Sequence, residues 1–278
     1  MACHVIIRAW YAGRKVPREK ETNVAVLARA AAVLEQLAAA GEVTTADLSE
    51  QLDEPRSSVY RLLRSLATLG LVEEGERAGG FRLGLGVLRL GSVALSQLEV
   101  RRVALPLLER LHDETGETVF LAVPRKGRAL FVDRLDGKRA ANMAVAPGES
   151  MPLHSGAAPR TLLAFAPRSE WQTYLDEAEL FEHRSGAPVS AAAVIHELEQ
   201  GVAAGFCVSD GDVVEGIATL GAPVLDYRDQ VRASISISGL RDDIIGARKQ
   251  IIVDSLLETA AEASRALGHR SAAAAKEA

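Results

Sequence analysis

Residues 44–83 constrain the fold of this chain more than any other stretch, because two helical patterns stand there a few residues apart. Thr44 belongs to a residue type that caps helices, and residues 45–52 follow it with helical spacing. Pro55 suits the first turn of a second helix, since its missing N–H would have no partner there. That helix is predicted over residues 56–69, and Gly70 ends it. The predicted inward positions are Ala46, Leu48, Leu52, Val59, Leu62, Leu63, Leu66 and Leu69.

Two strand-like segments, residues 71–73 and 81–83, follow the second helix, and the glycine-rich stretch between them favours a hairpin. This order is typical of a winged helix-turn-helix, whose second helix enters the major groove of DNA. Residues 55–72 contain three arginines and no carboxylate, although the chain has a net charge of −5. The predicted DNA contacts are Arg56, Ser57, Ser58, Tyr60, Arg61 and Arg64 in the helix, with Arg77 and Arg82 in the wing. An ordinary helical hairpin with a solvated basic face remains the alternative at this point.

The composition of the 278 residues, 48% hydrophobic and 25% charged, is that of a water-soluble protein of about two domains. No apolar run approaches the ~18 to 20 residues of a membrane span, and the N-terminus lacks the pattern of a secretory signal. Cys3 and Cys207 lie far apart, and neither they nor the histidines have metal-ligand spacing. We therefore expect a reduced, cytoplasmic protein without a metal or cofactor.

The chain divides into five predicted segments. These are a basic N-terminal extension (1–22), the winged helix-turn-helix (23–84, with a first helix over 23–40), a linker helix (85–99), a second domain (100–268) and a tail (269–278). The basic extension could follow DNA phosphates or could be inert, and the sequence favours neither. The apolar face of the linker helix likewise leaves open a dimer contact or packing onto the first domain.

The second domain alternates helices with paired strands, which indicates an α+β fold with one mainly antiparallel sheet. Strands are predicted over residues 118–123, 129–135, 142–146, 206–209, 217–224 and 230–238. Helices are predicted over residues 102–114, 159–164, 168–181, 190–204 and 242–267, and residues 147–156 are predicted to form a loop.

Three stretches of this domain combine small residues with polar side chains and are candidate ligand sites. Residues 154–158 lie where a loop leads into a helix, and the N–H groups of a helix start attract anions. Residues 209–212 and 216–219 form the second stretch. In the third, Ser234, Ser236 and Ser238 share one face of a strand, which indicates a polar pocket or, by default, a solvated sheet face.

His154, Ser155 and Asp210 raise the possibility of a hydrolase. We do not favour it, because the G-x-S-x-G motif is absent and adjacent His and Ser side chains rarely face each other. We therefore expect no catalytic residues. An enzyme acting on a carboxylate or ester, with His154 or Asp210 essential, is the alternative function. A protein-binding adaptor that uses the winged helix is a third.

Several stretches, taken in order, resemble the IclR family of bacterial transcriptional regulators over about residues 23–268. They are ARAAAVLEQLAAAGEVTTADLSEQLDEPRSSVYRLLRSLATLGLVEE, FRLGLGVLRLG, LPLLERLHDETGETVFLAV, MPLHSGAAPRTLLAF and GAPVLDYRDQVRASISISG. The resemblance implies a winged helix-turn-helix joined by a linker helix to an α+β effector domain. It also implies binding to double-stranded operator DNA as a homodimer or a dimer of dimers, with a small carboxylate or aromatic acid altering that binding. We expect a repressor.

The effector site that the resemblance implies coincides with the polar stretches described above. Its residues would be Gly156, Ala157, Ser209 or Asp210, Thr219, Ser236 and Ser238. The chain departs from the family at Pro159 and Arg160, where Gly-Lys is common, and at Ser209 and Thr219, where an acidic residue or cysteine is common. These departures concern the identity of the effector more than the fold.

Overall fold

Helix α1, Asn23–Ala40, opens the first of two units, and Val33 and Leu37 on its inner face are fully buried. The computed structural model describes residues 23–96, 98–137 and 145–270 and separates into Met1–Ala94 and Leu95–Ala278. The predicted basic extension, most of the tail and residues 142–144 of a predicted strand lie outside the described residues. The remaining elements of the first unit are β1 (Glu42–Thr44), α2 (Thr45–Leu52), α3 (Arg56–Thr68), β2 (Val72–Glu74), β3 (Gly80–Leu83) and most of α4 (Leu85–Ser96), whose last two residues belong to the second unit.

Thr44 caps α2 as its sequence predicts. The Thr44 hydroxyl oxygen accepts a hydrogen bond from the Asp47 N–H at 3.2 Å, and the Asp47 carboxylate accepts one from the Thr44 N–H at 3.3 Å. This reciprocal pair satisfies two N–H groups and fixes where α2 begins.

Strand β1 was not predicted, and it completes a three-stranded antiparallel sheet in the order β1-β3-β2. Three residues are too few to show a periodic pattern, and the partner strand lies almost forty residues later. The inward prediction for Leu69 is wrong. Helix α3 ends at Thr68, and Leu69 is 70% exposed, because the chain turns away from the core at Gly70, whose φ is 71°.

The second unit contains one six-stranded antiparallel sheet in the order β6-β5-β4-β9-β8-β7. Its helices are α5 (Glu99–Thr115), α6 (Ala157–Ala164), α7 (Arg168–Glu177), α8 (Ala191–Ala204) and α9 (Lys249–Ala266). Its strands are β4 (Thr118–Arg125), β5 (Arg128–Leu135), β6 (Ser150–Pro152), β7 (Cys207–Asp210), β8 (Ile217–Leu225) and β9 (Val231–Leu240). The predicted α+β class with a mainly antiparallel sheet is confirmed.

Helices cover both faces of this sheet. The α5 and α9 helices pack on one face, against side chains such as Ile235 and Ile237 of β9. The α6 helix packs on the other face, over β8 and β9. Ser234, Ser236 and Ser238 point to the α6 side and are 0%, 0% and 4% exposed. The default interpretation of these serines as a solvated face is therefore wrong. Their alternation along the strand shows that they share a face, but it does not show that a helix covers that face.

Two further predictions are corrected. Residues 150–152, predicted as loop, form β6 and pair with β5, whereas Val145 and Ala146 belong to no strand. The predicted long C-terminal helix is broken: a π-helical turn, Asp243–Ala247, precedes α9, and Gly246 has the non-helical angles φ −99° and ψ −128°. Glycine tolerates this backbone conformation. Within the described ranges, no helix is long and apolar enough to cross a membrane.

Candidate nucleic-acid interface and ligand cavity

The apolar side chains of helix α3 pack into the core, and its polar side chains therefore face solvent. Val59, Leu63 and Leu66 are buried at i, i+4 and i+7. The opposite face carries Arg56, Ser57, Tyr60, Arg61, Arg64 and Ser65, all exposed, while Ser58 is half-buried. Every helix residue predicted to contact DNA thus has at least part of its side chain open to solvent.

The arginines of this unit differ in whether they already form an ion pair. Arg64 pairs with Glu74 at 3.2 Å, and Arg82 pairs with Glu73 at 2.8 Å. Within the described part of the chain, Arg56 and Arg61 have no ion-pair partner. Exposed pairs such as those of Arg64 and Arg82 are weak and can exchange a carboxylate for a phosphate. Arg56 and Arg61 can bind a phosphate or base edge without that exchange.

Glu42 holds the tip of the wing. Its carboxylate accepts hydrogen bonds from the backbone N–H groups of Arg77, at 2.7 Å, and Glu76, at 3.2 Å. These backbone hydrogen bonds, led by that of Arg77, lower the pKa of Glu42. A Cβ atom at Gly80 would lie 2.2 Å from a Glu42 carboxylate oxygen, so any side chain there would displace this carboxylate. Sequence reasoning missed Glu42, because no local pattern connects it with a turn more than thirty residues later.

A small cavity of about 50 Å³ lies in the second unit between the sheet and the N-terminal end of α6. This volume is below the ~300 to 1,000 Å³ usual for small-molecule sites, so a bound acid requires the lining side chains to move apart. The lining residues are Phe120, Phe131, Val145, Met151, Gly156, Ala157, Ala158, Pro159, Ser209, Val213, Val214, Ile217, Thr219, Ser236 and Ser238. Most of the wall is apolar, with a few hydroxyl groups among the aliphatic and aromatic side chains. The apolar members had no signal in the sequence beyond ordinary core patterning.

Ser236 is the least satisfied polar group of the cavity. It is fully buried, and its hydroxyl has no hydrogen-bond partner among the described residues. The Thr219 and Ser238 hydroxyls lie 2.8 Å apart and share a hydrogen bond. A buried hydroxyl without a partner costs about 1 to 3 kcal/mol. Ser236 is therefore placed to bind a polar group that enters the cavity.

The start of α6 also contributes residues to the lining of this cavity. Gly156, with φ 80°, precedes the helix, and no side chain in the described part of the protein caps it. The first N–H groups of a helix lack intrahelical acceptors, and they favour anions. Ala157 and Ala158, which carry two of these groups, line the cavity. The arrangement can bind a carboxylate.

Ser209 is connected to a group of ion pairs. The Ser209 hydroxyl donates a hydrogen bond to Asp212. The guanidinium of Arg160 contacts both Asp212, at 2.5 Å, and Glu197. Arg160 is 5% exposed, and its Nε also donates to the Gly156 carbonyl oxygen at 3.2 Å. Sequence reasoning noted Arg160 only as a departure from the family, and it missed the role of Asp212.

Asp210 does not belong to the cavity, which corrects one of the two alternatives left open at this position. Successive residues of a strand point to opposite faces, so Ser209 lines the cavity and Asp210 points away. The Asp210 carboxylate forms two hydrogen bonds with Arg241, at 2.7 and 2.9 Å. The other predicted effector residues, Gly156, Ala157, Thr219, Ser236 and Ser238, all line the cavity.

Family models match both units. The model described as "IclR helix-turn-helix domain" matches residues 26–76, and "Bacterial transcriptional regulator IclR C-terminal" matches residues 92–265. The chain belongs to the IclR family. The family and fold predicted from the sequence are thereby confirmed.

Two bacterial regulators are similar to this protein over most of the chain. The HTH-type transcriptional regulator KipR of Bacillus subtilis is 29% identical over 227 residues, 82% of this chain and 90% of KipR. The HTH-type transcriptional repressor AllR of Escherichia coli is 29% identical over 247 residues, 87% of this chain and 90% of AllR. These are transcriptional regulators, which supports a regulator and not the enzyme considered as the alternative.

Solved IclR structures have the same fold. The IclR of Thermotoga maritima is 26% identical, with a TM-score of 0.74 over 88% of this chain and 100% of its own. An IclR homolog from Microbacterium hydrocarbonoxydans, complexed with 4-hydroxybenzoate, is 25% identical, with a TM-score of 0.75 over 87% of this chain and 99% of its own.

His154, the residue on which an enzyme would depend, has a structural role in this IclR protein. Its Nδ1 lies 2.6 Å from the Tyr174 hydroxyl, and its Nε2 lies 3.2 Å from the Phe181 carbonyl oxygen. Burial lowers the pKa of His154 to about 4, which keeps the ring neutral near pH 7. The ring does not line the cavity and has no nitrogen left to act as a base there. Among the described residues, no group of His, Cys, Asp and Glu could hold a metal ion.

Proposed function

We propose that this IclR-family regulator is a repressor whose affinity for operator DNA is altered by a small carboxylate or aromatic acid. The observation that carries the proposal is the cavity, which is lined by both the Ser236 hydroxyl and the start of α6. Among the described residues, this hydroxyl has no hydrogen-bond partner and no side chain caps the helix. AllR, named as a repressor, and the homolog complexed with 4-hydroxybenzoate support it by similarity.

The carboxylate would bind the Ala157 and Ala158 N–H groups and the Ser236 hydroxyl. The position of Gly221 supports this placement: it pairs with Ser236 across the sheet, and its Cβ would lie 3.0 Å from the Ala157 carbonyl oxygen. Ser236 and the start of α6 are therefore neighbours. Phe120 and Phe131, whose ring centroids lie 5.7 Å apart in an edge-to-face arrangement, would contact the apolar body of the acid.

Helix α3 would enter the major groove of the operator with the wing beside it. Its base and phosphate contacts would come from Arg56, Ser57, Ser58, Tyr60, Arg61 and Arg64, and the wing would add Arg77 or Arg82. Arg56 and Arg61 would contribute most, because neither has to leave an ion-pair partner among the described residues.

A homodimer or a dimer of dimers would present two α3 helices to half-sites about one DNA turn, ~34 Å, or a multiple apart. The exposed side chains of α4, among them Leu85, Leu88 and Leu90, are 75%, 65% and 55% exposed and could contribute an apolar contact between subunits. The acid changes operator affinity by binding one spacing of the α3 helices better than another, typically by ~1 to 3 kcal/mol.

The test is a titration of the DNA upstream of the protein's own gene, against random DNA, at two salt concentrations. It is done with and without a panel of small carboxylic and aromatic acids. We expect preferential binding that weakens steeply with salt, as phosphate neutralisation requires, and that one acid shifts. Binding to that DNA that no acid shifts would contradict the effector proposal. Equal binding to random DNA at both salt concentrations would contradict an operator at this position.

A further inference from the structure

The hydroxyl groups that line the cavity are not equally available to a ligand. The Ser209 hydroxyl already donates its only hydrogen to Asp212. Thr219 and Ser238 share a hydrogen bond at 2.8 Å, and the Ser236 hydroxyl has no partner among the described residues. A serine hydroxyl has one donor hydrogen and two acceptor lone pairs. Ser209 can therefore only accept a hydrogen bond from a ligand, whereas Ser236 can donate one.

Arg160 keeps Ser209 in this state. A carboxylate only accepts hydrogen bonds, and Asp212 accepts from Arg160 and Ser209 at the same time. Arg160 is itself held by Glu197 and by the Gly156 carbonyl oxygen. The guanidinium is buried, and a guanidinium has only hydrogen-bond donors. The direction of the Ser209 hydrogen bond is thus set by a fixed cation and not by the ligand.

Ser236, which can donate a hydrogen bond, and Ser209, which can only accept one, lie apart on the sheet. Ser209 pairs with Thr219, and Thr219 pairs with Ser238, so Ser209 lies two strands away from β9. With strands ~4.8 Å apart, this separation is about 10 Å. Ser236 lies two residues before Ser238, on the same face of β9 and next to the start of α6. A ligand that contacts both ends needs a polar group at each end of an apolar body.

We propose that Arg160 and Asp212 fix the Ser209 hydroxyl as an acceptor, so that the cavity selects acids that carry a hydroxyl group at the end opposite the carboxylate. This selection rests on the proposed function, because it assumes that an acid occupies the cavity. Ser209 is the specificity-determining contact, and Asp212 and Arg160 are positioning residues. If the acid lacks the hydroxyl, the Ser209 oxygen receives no hydrogen bond. If the acid has an ether oxygen at that position, two acceptors face each other and no hydrogen bond forms.

Matched acids test this directly by isothermal titration calorimetry on the full chain. The probes are benzoate, 4-hydroxybenzoate and 4-methoxybenzoate, with butanoate and 4-hydroxybutanoate as a shorter pair. We expect the hydroxylated acid of at least one set to bind about tenfold more tightly than its unsubstituted partner, as one hydrogen bond to a buried acceptor would give. We expect 4-methoxybenzoate to bind no better than benzoate.

Two variants separate the hydrogen bond from a merely structural effect. Ser209→Ala should bring the hydroxylated and unsubstituted acids to within about twofold of each other. Asp212→Ala frees the Ser209 hydroxyl to turn and donate, so 4-methoxybenzoate should gain affinity relative to 4-hydroxybenzoate. Ser234→Ala is the matched control, because Ser234 is a buried serine of β9 that does not line the cavity.

The outcomes distinguish this inference from the function on which it rests. Acids that bind with equal affinity whether or not they carry the hydroxyl would overturn the selection and leave acid binding intact. A preference that survives in Ser209→Ala would also overturn it. If none of the five acids binds the wild-type protein at millimolar concentration, while the protein still binds its operator, then this inference and the acid class of the effector are both rejected.

Discussion

The carboxylate of Glu42 accepts a 2.7 Å hydrogen bond from the backbone N–H of Arg77, and so joins the first strand of the winged unit to the tip of the wing. Inside the wing, the Gly80 N–H donates a 2.9 Å hydrogen bond to the Arg77 carbonyl oxygen. The Arg77 N–H is held instead by an acidic side chain that lies far away in the sequence.

Replacing Glu42 with alanine should loosen the wing and weaken operator binding several-fold. We expect faster cleavage after Arg77 in limited trypsin digestion of Glu42→Ala, and an intermediate rate in Glu42→Gln, which keeps one acceptor oxygen. Because the pKa of Glu42 is lowered from 4.5, this support is present above pH 4.5 and is lost as pH falls further. Glu50→Ala, which removes an exposed carboxylate from α2, is the control. Equal cleavage in all four proteins would show that Glu42 does not hold the wing.

Arg61→Ala should weaken operator binding by roughly 1 to 3 kcal/mol while leaving the fold intact. Arg61 is exposed on α3 and has no ion pair within the described residues, so its loss removes a contact with DNA and no internal one. Fluorescence anisotropy titrations at several salt concentrations measure the effect. Arg102→Ala removes an exposed arginine of the second unit and should bind DNA like the wild type. Unchanged affinity in Arg61→Ala would remove this residue from the interface.

Ser236→Ala combined with Ser238→Ala should abolish the response to the effector but leave operator binding unchanged. Both hydroxyls line the cavity, and neither lies in the winged unit. Operator titrations with and without the acid measure the response, and Ser234→Ala serves as the control. Because the Ser234 hydroxyl is buried without a hydrogen bond among the described residues, that control should unfold no more easily than the wild type. A normal response in the double variant would show that the effector does not bind through these two hydroxyls.

Arg160→Leu should lower the free energy of unfolding by about 2 to 3 kcal/mol. The substitution leaves the Asp212 and Glu197 carboxylates without their shared cation, and both are only partly exposed, at 26% and 48%. Urea unfolding followed by circular dichroism measures the loss. Arg168→Leu removes a surface pair with Glu199, in which both side chains are more than half exposed, and should cost under about 1 kcal/mol. Similar losses in the two variants would contradict the structural importance of Arg160.

His154 should make stability depend on pH below neutrality. Its pKa is lowered by burial from 6.5 to about 4, so between these values the unfolded chain binds a proton that the folded protein does not. The contribution of the neutral ring is complete above pH 6.5 and decreases as pH falls toward 4. Urea unfolding at pH 7 and pH 5 should therefore show a larger loss for the wild type than for His154→Gln. An equal loss would mean that His154 titrates normally in the folded protein.

Local signals in the sequence were sufficient for most of the fold. The threonine at Thr44, the glycine at Gly70 and the spacing of Val59, Leu63 and Leu66 locate the helices of the winged unit with little error. Predictions failed where distant chain segments decide the outcome. Strand β1 exists only because β3 pairs with it, and Ser236 is buried only because α6 covers its face.

The same distinction applies to the cavity. Gly156, Ala157, Ser209, Thr219, Ser236 and Ser238 stand in polar, small-residue stretches and could be named from the sequence. The order of hydrogen bonds among Ser209, Asp212 and Arg160 could not, because Arg160 lies some fifty residues before the other two. A sequence names which hydroxyls are available, whereas only the fold decides which way each one donates.

Gly221 sets the distance between α6 and the sheet without touching the cavity. Its missing side chain lets the Ala157 carbonyl oxygen and the Thr161 hydroxyl approach β8, and Thr161 donates a 2.9 Å hydrogen bond to the Gly221 carbonyl oxygen. Any larger residue there would act as a spacer and lift the helix start away from Ser236. The depth of the cavity is thus adjustable at a single position outside its lining. A new effector length could evolve in this scaffold before any contact residue changes.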